Sequence, residues 1–127
     1  MGKFEEFTRF RQRMNQRILE RGGLGIKRFF ALDTQAYQPG ALDEKTKELL
    51  GLAASMVLRC DDCVAYHVIQ AREMGASVDE LFETFQIALI VGGSIVIPHL
   101  RRAVDFLEDL ESGTRAGTGS AAPGDRE

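Results

Sequence analysis

Two cysteines and a histidine, Cys60, Cys63 and His67, are set close together in the stretch ELLGLAASMVLRCDDCVAYH, which begins at Glu48. The chain has only these two cysteines, and His67 is one of its 2 histidines. Thiols three residues apart can close a disulfide within one helical turn, and an imidazole four residues further on lies on the same helix face. At about 100° per residue, Cys63 and His67 both fall within about 60° of Cys60, so the three side chains make one cluster. Glu48 belongs to the preceding apolar helix and joins the cluster only if the two helices pack side by side.

A break between the helices is expected at Arg59-Cys60-Asp61-Asp62, because aspartates accept hydrogen bonds from the free amides of a helix start. The cysteines then sit at a helix N-terminus, where the positive end of the dipole and a nearby imidazolium stabilise thiolate, the form that attacks peroxides and disulfides. Asp61 and Asp62 act in the opposite direction by charge repulsion, so the expected thiol is moderately activated. If the surrounding leucines bury Glu48, it can hold a proton or hydrogen bond to His67, which gives a relay of Glu48, His67 and cysteine. Two other readings fit the same residues. Cys-x2-Cys-x3-His offers three ligands to a structural zinc that takes a fourth from elsewhere, although there is no third cysteine and His99 lies on another element. Alternatively, the cysteines are inert and buried beside a core histidine. A redox pair is the leading expectation.

At Glu48, Cys60, Cys63 and His67 the sequence resembles the AhpD-like (alkylhydroperoxidase D-like) branch of the carboxymuconolactone decarboxylase family, over about Leu42 to Leu107. The resemblance implies an all-α domain in which the two cysteines cycle between dithiol and disulfide while Glu48 and His67 relay protons. It also implies thiol-dependent peroxidase or disulfide reductase activity in a trimer or hexamer, with a peroxide or protein disulfide as substrate and a separate reducing partner. Neither a cofactor nor a metal is expected. Some members carry a histidine just before the second cysteine, where this chain has Asp62. The decarboxylases that name the family lack the cysteine pair, which makes acid-base work by Glu48 and His67 on a small lactone the weaker inheritance.

The elements that must position these residues can be read in outline. At 127 residues and 44% hydrophobic content, one domain with a modest core is expected, and the lone CxxC fits redox chemistry better than a secretory disulfide framework. The N-terminus never builds the apolar stretch of a signal peptide, and the apolar run Ile87 to Ile97 is too short to span a bilayer, so a soluble cytoplasmic protein is expected. The net charge of -3 is uneven, with basic residues concentrated in the first thirty positions. There Arg9, Arg11, Arg13, Arg17 and Arg21 are interleaved with Glu5, Glu6, Glu20 and phenylalanines, a pattern that fits an amphipathic helix docked on acidic protein surface and not a nucleic-acid arm.

In chain order, Lys3 to Glu20 reads as a first helix with Phe7, Phe10, Met14 and Ile18 on one face, ended by Gly22-Gly23. Another helical stretch lies within Leu24 to Tyr37, before the turn Gln38-Pro39-Gly40. Asp43 caps a helix over Glu44 to Leu58, expected at the buried centre of the fold. The helix with Cys63 and His67 closes at Gly75, and Ser77-Val78-Asp79-Glu80 is a capping box for the next. Gly92-Gly93 is expected to mark a close helix crossing in preference to a break. A last helix restarts near Pro98 and reaches about Glu111, with His99 at its beginning, where it could approach the site, although a hydrogen bond at a subunit interface is the leading expectation. Arg101 and Arg102 are expected in ion pairs. Residues 112–127 lack bulky apolar side chains and are expected to stay outside the fold, leaving an all-α single-domain bundle of five or six helices over residues 1–111.

The cysteine spacing generates a first prediction. Mild oxidation of the reduced protein should consume both thiols of each chain without covalent dimers. Thiol titration and non-reducing electrophoresis check this, and thiols that survive or cross-link chains would contradict the redox reading.

Overall fold

Local hydrogen-bond chemistry sets most of the helix boundaries in the computed structural model, which describes residues 2–115. Six α-helices follow one another: α1 (Lys3–Arg21), α2 (Leu24–Ala36), α3 (Glu44–Val57), α4 (Asp61–Glu73), α5 (Val78–Gly92) and α6 (Ile97–Arg115), with a 3-10 turn at Ser94–Val96 before α6. Among the described residues all regular structure is helical. The Asp43 side chain accepts from the Thr46 amide at 2.8 Å to start α3, and this hydrogen bond holds its carboxyl below the usual range. Ser77 and Glu80 form the reciprocal capping box of α5, with bonds of 3.0 and 2.8 Å. Lys45 reaches across to Glu80 at 2.9 Å, tying the start of α3 to the start of α5.

The ends of α3 and α4 share one geometry. At the end of α4 the Ala76 amide bonds to the Ala71 carbonyl and the Gly75 amide to the Arg72 carbonyl, with Gly75 in the left-handed region at φ 95°. At the end of α3 the Cys60 amide bonds to the Ser55 carbonyl and the Arg59 amide to the Met56 carbonyl. Both are Schellman closures. In the second, however, the left-handed position is held by Arg59 at φ 62°, a conformation that costs a side-chain-bearing residue about 1 kcal/mol.

Packing is centred on α4. It lies against α3 and α6, α3 also packs on α5, and α1 runs along α6. Every residue from Val64 to Ala71 is buried, so α4 and not α3 is the innermost helix. On α3 only Glu48, Leu52, Ser55 and Met56 are buried, while Leu50 and Leu58 are exposed. The expectation of a centrally buried α3 is corrected accordingly: a helix that is apolar around its circumference after Glu48 need not have every side covered within one chain. The core comprises Leu52, Met56, Val68, Leu81, Phe85, Val96 and their neighbours. Arg72 locks the end of α4 to α6 through paired bonds to Glu111 at 2.9 and 2.8 Å, and donates to the Ala76 carbonyl at 2.7 Å.

Three further boundaries are refined by the structure. At Gly92-Gly93 the helix does break, with Gly93 at φ 83°, so the expected crossing without a break is corrected. Close approach does occur at Gly92, where a Cβ would lie 2.5 Å from a Val96 methyl. Helix α6 continues past Glu111 to Arg115; the remainder of the segment expected to stay outside the fold lies outside the described residues. The aromatic face of α1 covers the core only at its first turns, with Phe4 and Phe7 packed against it and Phe7 meeting Phe106 edge-on at 5.6 Å, while Phe10 and Ile18 are exposed. Asp109 of α6 accepts from the Phe4 amide at 2.9 Å, and Lys3 pairs with Asp105, so the acidic surface that receives α1 belongs to its own chain.

Candidate functional site

The corner between α3 and α4 builds the site. The Schellman closure of α3 delivers Cys60 directly as the N-cap of α4, where its Sγ accepts from the Cys63 amide at 3.2 Å. Cys60 and Cys63 are joined as a disulfide, with their Cα atoms 5.3 Å apart. A thiolate at Cys60 would thus receive a first-turn amide and the positive end of the α4 dipole. The carboxylate of Asp61, the first residue of α4, does not act on this position alone. His99, at the start of α6, donates from Nδ1 to Asp61 Oδ1 at 2.7 Å, and Arg102 one turn on reaches Oδ2 at 3.1 Å. Within its own chain, His99 thus reaches the residue beside Cys60.

One helical turn beyond Cys63, His67 faces α3. Its Nδ1 lies 2.8 Å from Oε1 of Glu48, whose side chain is 0% exposed. The two residues singled out as a relay are thus in direct contact, brought together by the side-by-side packing of α3 and α4. Burial pushes the His67 pKa down to about 4; Asp33 raises it and the Arg11 charge lowers it further. The imidazole is therefore uncharged at neutral pH. Tyr66 contacts its ring edge-on at 5.4 Å, and the Arg11 guanidinium sits 3.9 Å above the Tyr66 ring.

Two residues of the site were not anticipated from sequence. Tyr37, just after α2, stacks obliquely on His67 with ring centroids 5.5 Å apart and places its hydroxyl 3.5 Å from Nε2. Gly51 on α3 makes room for this pair: a Cβ there would lie 2.6 Å from the Tyr37 hydroxyl and 2.9 Å from Nε2. A glycine three residues after Glu48 inside a helix, at a cost of about 1 kcal/mol relative to alanine, is the signal that could have pointed to a close approach. Nothing in the sequence around Tyr37 points to His67. Among the described residues there is no cluster of three or more His, Cys, Asp or Glu side chains fit to hold a metal. Nor is any helix among them long and apolar enough to cross a membrane.

Comparison with known proteins identifies relatives that share this arrangement of helices. The profile of the carboxymuconolactone decarboxylase family matches residues 25–106. The fold superimposes with a TM-score of 0.87 on a carboxymuconolactone decarboxylase family protein from Thermotoga maritima for which a part in the antioxidative response has been suggested; the two are 54% identical, over 92% of this chain and 99% of that one. The apo form of a family protein from Legionella pneumophila gives a TM-score of 0.73 at 30% identity, over 87% of this chain and 96% of that one. An uncharacterized protein of the cox locus of Paracoccus denitrificans is 30% identical over 83 residues, 65% of this chain and 75% of that protein.

The buried imidazole makes stability depend on pH. The folded-state pKa of about 4 lies below the ordinary value of 6.5, so between these values the unfolded chain binds a proton that the folded chain refuses. The stability from this residue is fully present above pH 6.5 and is lost as pH falls toward 4. Over that window wild type should lose about 3 kcal/mol more than His67→Gln, whose amide keeps a hydrogen-bonding group beside Glu48. Denaturant melts at stepped pH provide the measurement, and parallel acid limbs would contradict the assignment.

Proposed function

Because the chain belongs to the carboxymuconolactone decarboxylase family, we propose that it is a thiol-disulfide oxidoreductase of antioxidant type, reducing a peroxide or a protein disulfide with Cys60 and Cys63. The observation that carries this reading is the Cys60–Cys63 disulfide at the start of α4, one turn from an imidazole bonded to a buried carboxyl group.

In the reduced protein, Cys60 is the attacking thiolate, supported by the first-turn amide that its sulfur accepts. With a hydroperoxide, its sulfur forms an S–O bond as the O–O bond breaks, and the departing alkoxide takes a proton to leave as alcohol. The Cys63 sulfur then attacks the resulting sulfenic acid, the S–O bond breaks, water leaves, and the disulfide closes. With a protein disulfide, the same attack forms a mixed disulfide that Cys63 resolves, releasing the partner as a dithiol. Each cycle oxidises two thiols, and a dithiol reductant must reopen the bond. Glu48 and His67 take up the proton of the resolving thiol in this scheme, His67 being the i+4 neighbour of Cys63.

Assembly belongs to the same proposal. Leu24, Phe29 and Leu32 on α2, Leu58 after α3, and Ile90 and Val91 on α5 are each more than half exposed, and α2 joins none of the extensive helix pairings of the chain. A homo-oligomer, a trimer or hexamer by analogy with the family, would cover these faces. Light scattering at micromolar concentration should give a multiple of the 14.1 kDa chain mass, and a monomer would contradict this.

The relay has its own test. Glu48→Gln and His67→Phe should slow thiol alkylation or peroxide reduction by at least about tenfold near neutral pH and shift its pH profile, while the disulfide still forms. Cys60→Ser and Cys63→Ser should each abolish turnover. Rates against pH for the reduced proteins decide the matter: a profile for Glu48→Gln that superimposes on wild type removes Glu48 from the mechanism, and the same result for His67→Phe removes the relay.

A further inference from the structure

We propose that His99 and Arg102 are positioning residues for the attacking thiolate of Cys60, acting through Asp61, the residue that follows it. This role rests on the reading that Cys60 is the attacking thiol. A carboxylate next in the chain to a thiolate opposes it wherever its charge is left unbalanced. Asp61 is balanced from α6: His99 Nδ1 donates to Oδ1 at 2.7 Å and Arg102 Nη1 to Oδ2 at 3.1 Å, so each carboxylate oxygen has its own donor. Because a carboxylate only accepts, the His99 ring hydrogen that makes this bond sits on Nδ1.

Asp61 is joined to the cysteine turn by the chain itself. Cys60 is the N-cap of α4 and Asp61 its first residue, and the Cys60 sulfur accepts from the Cys63 amide of that same turn at 3.2 Å. A shift of the Asp61 carboxylate, or the loss of its counter-charge, therefore changes the field at the sulfur. The direction in which Asp61 is held matters as well. At about 100° per residue Asp61 lies about 160° around α4 from Cys63, so holding it toward α6 keeps its charge on the side of the helix away from Cys63 and His67. On that side a cavity of about 260 Å³ is lined by Asp61, Ala65, Arg102 and Phe106.

The two partners contribute differently. The His99 side chain is 17% exposed and is the fixed member, supplying a donor of set direction, whereas Arg102, 61% exposed, supplies the counter-charge. Solvent screens so open an ion pair, which limits the expected effect on the thiolate to a few-fold. The other charged groups on this side are Asp62 on α4, Lys3 and Glu6 on α1, and Asp105 on α6, with Lys3 paired to Asp105. None of them is altered by substitutions at His99, Arg102 or Asp61.

The test is a double-mutant cycle on the full-length reduced protein, with iodoacetamide as the probe and the alkylated cysteine identified by peptide mass spectrometry across a pH series. Arg102→Met and His99→Phe should each slow alkylation of Cys60 about threefold near neutral pH and move the midpoint of its pH profile up by about half a unit. His99→Asn, whose amide can donate in place of Nδ1, should stay near wild type. In an Asp61→Asn background neither Arg102→Met nor His99→Phe should slow the reaction, because the charge through which they act is gone. Profiles for Arg102→Met and His99→Phe that superimpose on wild type, or losses that persist in the Asp61→Asn background, would overturn the positioning role. A His99→Asn variant as slow as His99→Phe would overturn it for His99, since a merely structural ring gives that result. If Cys63 and not Cys60 is the faster thiol of the wild type, the assignment of Cys60 as attacking thiol falls, and this role with it; a faster Cys60 with unaltered variants removes the positioning role alone.

Discussion

The hydrogen bond between Glu48 and His67 is the constraint on which the rest of this structure depends. A carboxyl group wholly removed from water costs several kcal/mol unless it is given a partner, and here that partner comes from the neighbouring helix at 2.8 Å. To present it, α3 and α4 must pack side by side along their length, and the chain must reverse within the few residues after Leu58. The reversal is made by a Schellman closure with Arg59 in the left-handed region, a local cost of about 1 kcal/mol borne at the residue before Cys60. Burial of a polar pair and a sharp corner at the cysteines are thus two aspects of one arrangement.

The corner also determines the electrostatics of the cysteines. Cys60 is at once the last residue of one helix closure and the cap of the next helix, so its sulfur lies at the positive end of α4. The aspartates that follow would oppose a thiolate, but Asp61 is held by His99 and Arg102 from α6. The first turn of α4 is therefore less negative than its sequence suggests, and α6 is connected to the cysteine turn as well as to the core. At the other end of α4, Arg72 and Glu111 make a second tie to α6. The innermost helix is held at both ends by charged groups and between them by apolar packing.

Outside this framework the chain is less committed to itself. Helix α1 is fastened to α6 by its first turns, through Phe7 on Phe106, Lys3 with Asp105 and the Phe4 amide on Asp109, and its later apolar residues face outward. Helix α2 is the most exposed of the six, yet it leads directly to Tyr37, which turns back onto His67. A segment with little packing of its own thus supplies a side chain to the buried Glu48–His67 pair.

By itself the sequence determined the helices and the clustering of Cys60, Cys63 and His67 around one helical turn, because these depend on interactions that span only a few residues, whereas the contact of Glu48 with His67 waits on the packing of α3 against α4. Asp43 with Thr46, Ser77 with Glu80 and the left-handed Gly75 are caps written in single turns, and the cysteine spacing is set by one turn of helix. Only the tertiary structure decided which helix lies innermost, which face of α3 is left open, that Gly93 breaks α5, that His99 meets Asp61 and that Tyr37 meets His67. The physical reason is that each of these outcomes depends on how two helices cross. Amphipathic pattern specifies that a face must be covered without specifying by what, and the second half of α3, after Glu48, is apolar on nearly every side. Tyr37 and His67 are 30 residues apart and share no local signal, so their contact arises only once Gly51 has let the two rings close over α3.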